Sequence, residues 1–131
     1  MTLPDNVRAF LEERRFAVLA TINKNGMPQQ TVVWYELQGD EIMMNTAVGR
    51  LKDKNVRRDP RVSICVGGEY DFVTITGRAR LIEDQRIAQA DIERLATRYE
   101  GAERAKRQME RFSKQQRVTI RVPIDTLYVY E

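Results

Sequence analysis

Six cations lie close together between two apolar segments of this 131-residue chain. They are Arg50, Lys52, Lys54, Arg57, Arg58 and Arg61, and only Asp53 and Asp59 oppose them. Arg50 and Lys52 directly follow the strand-like stretch MNTAVG, where a helix is predicted to begin. Backbone N–H groups and the helix dipole favour an anion at such a position. Together with the Thr46 hydroxyl, the two cations predict a phosphate site.

The absence of histidine excludes several kinds of catalytic site. With Cys65 as the one cysteine, the chain has no ligand set for a usual transition-metal site. Ser-His-Asp and Cys-His nucleophilic systems are excluded for the same reason. No glycine-rich phosphate loop is present, because the GGEYD stretch at Gly67 is typical of a turn between strands. If the chain is an enzyme, we expect a bound cofactor to carry the chemistry, and we assign no catalytic residue.

Length and composition predict one soluble domain that spans residues 1–131. The chain is 42% hydrophobic and 31% charged, which is typical of a globular protein. No apolar run approaches the ~20 residues that span a membrane. The N-terminus has acids and an amphipathic rhythm in place of a signal peptide, so we expect the reducing cytoplasm.

Periodicity predicts the elements that position the basic segment. The stretch PDNVRAFLEERR has apolar residues on one helical face, and NKNG and Gly39-Asp40 are turn signals between strands. The segment from Gly49 to Arg58 is predicted to be helical, and the next two strands turn at Gly67-Gly68. Residues 85–116 are predicted to be helical with a break near Gly101, and the C-terminal stretch RVTIRVPIDTLYVYE is predicted to be one final strand.

About six short antiparallel strands with flanking helices predict a mainly β (α+β) fold. So many strands in one small domain favour a closed or nearly closed barrel, because closure removes exposed edges. The runs AVLATI, VSICV and VTI are almost continuously apolar, which predicts burial on both faces. A helix or a second copy of the chain would cover the outer face, and we expect a homodimer.

The order of these stretches resembles the pyridoxamine-phosphate-oxidase-like split β-barrel superfamily of flavin and deazaflavin proteins. The resemblance is carried by FAVLATINKNGMPQQTVVWYEL, NTAVGRLKDKNVRRDPRVSICV, YDFVTITGRARLIED and RVTIRVPIDTLYVY, nearly the whole chain. It implies a six-stranded antiparallel split β-barrel. The pattern Arg50-x-Lys52-x-x-Asn55-x-x-Arg58-Asp59-Pro60-Arg61 is similar to the branch that binds the deazaflavin cofactor F420.

The resemblance implies a homodimer with two cofactor sites at its interface. Arg50 and Lys52, with Thr46 beside them, would hold the cofactor phosphate. Gln29 and Thr31, on the strand after NGMP, would lie near the ring and its side chain.

The resemblance also implies contributions from other parts of the chain. Phe72 would lie against the cofactor, and Arg117 with the final strand would complete the pocket from the other subunit. Asn55, Arg57 and Arg58 would attract the acidic oligoglutamate tail that F420 carries and FMN lacks.

Such a site implies an F420-dependent oxidoreductase. It would transfer a hydride from the reduced cofactor to an unsaturated, planar small molecule such as a tetrapyrrole, quinone or unsaturated lactone. Three alternatives stay open: an FMN-binding oxidase or electron carrier of the same fold, a non-catalytic F420-binding protein, and a nucleic-acid-binding barrel. A net charge of only +3, without exposed aromatics between the cations, disfavours nucleic acid. We expect neither nucleic acid nor a membrane as a partner.

Overall fold

The computed structural model describes residues 1–131, which form nine strands and four helices. The strands are β1 (Ala17–Ile22), β2 (Pro28–Val33), β3 (Glu36–Gln38), β4 (Glu41–Ala47), β5 (Arg61–Gly67), β6 (Phe72–Arg78), β7 (Arg80–Ile82), β8 (Arg117–Pro123) and β9 (Thr126–Tyr130). The helices are α1 (Asp5–Glu12), α2 (Leu51–Arg58), α3 (Gln85–Glu100) and α4 (Ala102–Phe112). No helix is both long enough and apolar enough to cross a membrane.

The strands form two antiparallel sheets that share one core. One sheet has the order β2-β1-β5-β6-β9, and the other has the order β3-β4-β8-β7. Buried side chains from both sheets meet in a single cluster, for example Leu19 and Ile64 from the first and Ile42 and Ile120 from the second. The predicted mainly β (α+β) class is confirmed.

The C-terminal stretch forms two strands in different sheets, so the prediction of one final strand is wrong. β8 ends at Pro123, since proline has no backbone N–H to continue the ladder. The chain then crosses to the other sheet, where the Asp125 N–H donates to Thr76 O at 3.0 Å. The three-residue strands β3 and β7 account for the rest of the difference between six predicted strands and nine. The two sheets stay open rather than closing into one ring.

The glycines at the predicted turns and at the predicted helix break adopt left-handed backbone conformations. The NKNG turn contains Gly26 with φ +90°, and Gly39 lies in the turn between β3 and β4 with φ +63°. Gly101, with φ +87°, separates α3 from α4. Glycine adopts these left-handed conformations at low cost, which is why each element ends there.

The outer face of the five-stranded sheet is only partly covered within one chain. Burial alternates along β1, β5 and β6, so inward side chains are buried while Val18 and Cys65 remain half-exposed. Val32 and Tyr128 on the edge strands are 67% and 60% exposed. The predicted burial of these strands on both faces therefore does not hold within a single chain.

Gly77 lies where β6 approaches β8 and provides a test of the packing between the sheets. A Cβ there would lie 2.4 Å from Pro123 O and 2.8 Å from Val122 Cγ1. We expect Gly77→Ala to lower the free energy of unfolding, measured by urea denaturation, by ~1–3 kcal/mol, because the added methyl group overpacks the contact between the sheets. Gly67→Ala is the matched control, since nothing lies within 4 Å of its Cβ position. Equal stabilities of the two variants would contradict this packing.

Candidate functional site

A cavity of about 210 Å³ opens where β2, β4 and β8 meet the helices. One part of its wall is polar, formed by Asn45, Thr46, Arg50, Lys52, Arg111 and Arg117. The other part is apolar, formed by Val32, Val33, Trp34, Ile92, Leu95 and Phe112. Four cations and an apolar surface thus line the same space.

The four cations of this cavity have no acidic partner. None of the nine ion pairs in the structure involves Arg50, Lys52, Arg111 or Arg117. Burial, then the charges of Arg50 and Arg111, lowers the pKa of Arg117 to about 10. Burial, then Arg50 and Arg117, also lowers the pKa of Lys52. Like charges that share a site disfavour one another's ionised forms, so the cluster favours a bound anion.

Arg50 and Lys52 are positioned by the turn that leads from β4 into α2. Gly49 has φ +94°, a conformation that a residue with a side chain rarely adopts. The Asp53 carboxylate is 1% exposed and accepts hydrogen bonds from Gly49 N–H at 2.8 Å and Arg57 Nε at 2.7 Å. Because Asp53 binds the turn and Arg57, it fixes the start of α2 without neutralising Arg50.

Arg117 is held in place by neutral groups. Its Nε donates to Asn45 Oδ1 at 3.0 Å and its Nη1 to Gln115 Oε1 at 2.6 Å, and its Cζ lies 4.8 Å from the centre of the Phe112 ring. The Gln85 side chain accepts from Arg117 N–H at 2.9 Å and donates to Arg117 O at 2.7 Å. The guanidinium is therefore oriented, yet its charge is left uncompensated.

Thr46 carries a buried hydroxyl with no partner. The residue is 2% exposed, and its Oγ1 makes no hydrogen bond within the chain. Buried polar groups are nearly always hydrogen-bonded, so this hydroxyl has an unmade hydrogen bond that a water or a ligand oxygen would satisfy. The hydroxyl and the uncompensated cations together fit a phosphate group.

The structure brings together four of the predicted site residues, Thr46, Arg50, Lys52 and Arg117. Within one chain, Arg117 lines this cavity with Arg50 and Lys52. The contribution of Arg117 to a pocket of the other subunit, which the resemblance implies, stays a prediction. β8 pairs directly with β4, and their register places Arg117 opposite Ala47, two residues before the turn at Gly49.

Gln29 and Asn55 lie outside the cavity wall, in a polar network around Thr21. Asn55 is 1% exposed and donates to Thr21 Oγ1 at 3.0 Å and to Asn23 Oδ1 at 2.9 Å. Thr21 Oγ1 in turn donates to Gln29 Oε1 at 3.0 Å. This network ties α2 to the β1–β2 hairpin, so Asn55 faces the sheet rather than the cavity.

Arg57 and Arg58 also have partners within the chain. Arg57 forms ion pairs with Asp53 at 2.7 Å and with Glu83 at 3.0 Å. Arg58 donates to Ile22 O and to Asn55 Oδ1. Neither residue lines the cavity that contains Arg50, so the structure does not bring them to the phosphate site.

Thr31 and Phe72 lie apart from the cationic cavity in a single chain. Thr31 has a buried Oγ1 without a partner, one residue before the cavity-lining Val32. Phe72 stacks on Tyr130, with ring centres 5.3 Å apart and planes at 11°, in a second cavity of about 330 Å³. The two cavities have no lining residue in common.

Sequence reasoning missed Trp34, Asn45, Arg111 and Phe112 as cavity residues. Trp34 stacks on Tyr99 with ring centres 5.3 Å apart and lines the cavity at the same time. The helical spacing of Arg104, Arg107 and Arg111 was a usable signal, since residues at i, i+3 and i+7 share one face.

The sequence profile of the pyridoxamine 5'-phosphate oxidase family matches residues 3–129. The chain belongs to this family. The family binds flavin or related cofactors and includes oxidoreductases.

Solved structures with similar folds agree with this family assignment. Rv2991 from Mycobacterium tuberculosis is 25% identical over 100% of this chain and 86% of its own, with a TM-score of 0.84. An F420 reductase is 23% identical over 96% and 98% of the two chains, with a TM-score of 0.78. General Stress Protein 26 from Bacillus anthracis is 17% identical over 98% and 94%, with a TM-score of 0.69. The split-barrel fold is thereby confirmed.

Replacing Lys52 with methionine tests the uncompensated charge. Because the pKa of Lys52 is lowered in the fold, its charged form is less favourable there than in the unfolded chain, and a neutral side chain removes that cost. We expect the Tm of Lys52→Met without ligand to equal or exceed that of the wild type. In the wild type, phosphate should raise the Tm more than chloride does at equal ionic strength, and Lys52→Met should lose most of this difference. The stabilisation by phosphate in the wild type should also decline at high pH, because the lowered pKa of Lys52 makes this lysine lose its proton before an exposed lysine does.

Lys54→Met is the control, since Lys54 is exposed and does not line the cavity. If Lys52→Met retains the full phosphate effect, or if both variants lose it equally, the anion site does not include Lys52.

Proposed function

We propose that this protein is an F420-dependent oxidoreductase that transfers a hydride from the reduced cofactor to an unsaturated, planar small molecule. The observation that carries the proposal is the group of uncompensated cations around the unpaired Thr46 hydroxyl. Similarity in fold to an F420 reductase supports F420 over FMN as the cofactor.

The roles of the residues follow from their positions. Arg50, Lys52 and Arg117 would bind the cofactor phosphate by charge-assisted hydrogen bonds, and the Thr46 hydroxyl would donate to one of its oxygens. Trp34 and the neighbouring apolar wall would exclude water beside the bound group. The bound cofactor supplies the hydride, so no side chain has to act as a nucleophile, in agreement with a chain that has no histidine.

A homodimer is part of this proposal. The outer face of the five-stranded sheet presents Val32 at 67% exposure and Tyr128 at 60%, a surface that a second copy would bury. Phe72 lies outside the cationic cavity of its own chain, so only a second copy would bring it to the cofactor. Gln29 and Thr31 on the edge strand β2 would lie beside the ring at the same interface.

The first experiment is a titration of the purified protein with F420 and with FMN, side by side at moderate salt. We expect tight binding of F420 and weak binding of FMN, followed by oxidation of reduced F420 when a suitable acceptor is added. Preference for FMN would move the protein to a flavin-dependent function. Binding of F420 without turnover of any quinone, tetrapyrrole or lactone acceptor would favour a cofactor carrier.

Substitution of the phosphate-binding cations should weaken F420 binding and leave the fold intact. Arg50→Ala and Lys52→Ala should each cost ~1–3 kcal/mol of binding free energy, the usual value of a hydrogen bond to a charged group. Titration of each variant, with Lys54→Ala as the control, measures the effect. Wild-type affinity in both variants would show that the phosphate lies elsewhere.

A further inference from the structure

A chain of side-chain hydrogen bonds leads from α3 through β8 and β4 to Arg117. The Asp91 carboxylate on α3 accepts a hydrogen bond from Thr119 Oγ1 at 2.7 Å. Thr119 Oγ1 in turn accepts from Asn45 Nδ2 at 3.2 Å, and Asn45 Oδ1 accepts from Arg117 Nε at 3.0 Å. Asn45 and Thr119 lie opposite each other in the register of β4 and β8. We call Asp91, Thr119 and Asn45 the Asp91 relay, and it ends at a cation of the cationic cavity.

The direction of each hydrogen bond in the Asp91 relay is fixed by the chemistry of its members. An ionised carboxylate only accepts, so the single hydroxyl hydrogen of Thr119 is directed at Asp91. The Thr119 oxygen is then left as an acceptor, which requires the amide nitrogen of Asn45 on that side. Ala88 O accepts from the same nitrogen at 2.9 Å and imposes the same orientation. The amide oxygen of Asn45 therefore faces Arg117, whose guanidinium offers only donors.

The Asp91 relay orients Arg117 without neutralising it. Thr119 is fully buried and Arg117 is 5% exposed, so water offers little alternative to these partners. Asp91 forms no ion pair, and its carboxylate accepts from the neutral Thr119 hydroxyl. Two neutral side chains thus separate the carboxylate from the guanidinium. Hydrogen bonds in such a chain polarise one another, which strengthens the Asn45 oxygen as an acceptor.

Other contacts join α3 to its neighbours, so Asp91 is not needed to hold the helix in place. Gln85 donates to Arg117 O at 2.7 Å and accepts from Arg117 N–H at 2.9 Å. Gln89 donates to Gln115 O at 2.9 Å. Replacing Asp91 should therefore disturb the relay while α3 keeps its position.

We infer that Asp91 is a positioning residue for the anion site, because the relay that it terminates holds the guanidinium of Arg117 in the cationic cavity. This inference rests on the proposed function in one respect, the binding of a phosphate beside Arg50 and Arg117. It does not depend on whether that phosphate belongs to F420 or to FMN.

Inorganic phosphate is the probe, because it tests the anion site whichever cofactor the protein binds. Electrostatics alone predicts that removing an acid near a cationic site strengthens anion binding. Asp91→Asn should instead weaken it, because asparagine can also donate to Thr119 and no longer fixes the direction of the relay. We expect the dissociation constant for phosphate, measured by calorimetry at constant ionic strength, to rise by about 2- to 10-fold, the value of one neutral hydrogen bond.

Glu93→Gln is the matched control, since it removes an exposed acid from the same helix and should not weaken phosphate binding. Two substitutions at Thr119 test the middle of the relay. Thr119→Val keeps the shape and removes the hydroxyl, so it should weaken phosphate binding about as much as Asp91→Asn does. Thr119→Ser retains the hydroxyl and should bind phosphate as the wild type does.

A double substitution tests whether Asp91 acts through Arg117. Arg117→Lys keeps the positive charge but lacks the Nε–H that donates to Asn45. In that background, Asp91→Asn should have no further effect on phosphate binding, whereas independent roles would give additive losses.

The outcomes separate this inference from the proposed function. Unchanged or tighter phosphate binding by Asp91→Asn, an equal loss in Glu93→Gln, or an undiminished loss in the Arg117→Lys background would each overturn the inference and leave the proposed function in place. Wild-type protein that binds phosphate no better than chloride would also overturn it, since the inference requires an anion site. If the variants behave as expected but the wild type does not bind F420, the inference stands and the proposed function fails.

Discussion

Positive charge without a counter-charge is the constraint around which this site is organised. Arg50, Lys52, Arg111 and Arg117 share one cavity, and burial with mutual repulsion lowers the pKa of two of them. A fold tolerates such an arrangement only if surrounding packing holds the cations in place, because each alone would move toward water or an acid. A bound anion should therefore also stabilise the fold, because it offsets the electrostatic repulsion among these cations.

The architecture supplies the support that this constraint requires. The four-stranded sheet carries Thr46 on β4 and Arg117 on β8, in adjacent antiparallel strands. The Asp53 carboxylate fixes the turn at Gly49, while neutral amides orient Arg117. Several other cations do have carboxylate partners, for example Arg57 with Asp53 and Glu83. Arg50, Lys52, Arg111 and Arg117 instead line one cavity without an ion pair.

Local signals account for the parts that the sequence predicts correctly. The strand–glycine–helix order at Gly49 placed Arg50 and Lys52 at a helix start, and glycines marked the turns at Gly39 and Gly101. Local pattern could not show that the Asn55 side chain bonds to Asn23 in the β1–β2 hairpin, 32 residues earlier in the chain. Its role in binding the cofactor tail stays a prediction.

The parts that the sequence could not predict depend on contacts between distant segments. Alternating stretches such as RVTIRV and TLYVY have the same pattern in either sheet, so nothing local shows that β9 leaves the sheet that contains β8. Arg111 lines the same cavity as Arg50 because α4 packs against α3, and periodicity alone cannot predict that arrangement. Family resemblance implies a role for Arg117, but the pairing of β8 with β4, which brings Arg117 into the cavity of Arg50, depends on segments about 70 residues apart.

A crystal structure of the protein with bound F420 would show directly whether this cavity holds the cofactor phosphate. We expect the phosphate in the cavity lined by Arg50, Lys52 and Arg117, with one oxygen within hydrogen-bond distance of Thr46 Oγ1. We also expect the Thr46 hydroxyl and the guanidinium of Arg117 to belong to the same chain as Arg50. A phosphate bound elsewhere, with no ligand in this cavity, would contradict the assignment of the cavity as the cofactor site.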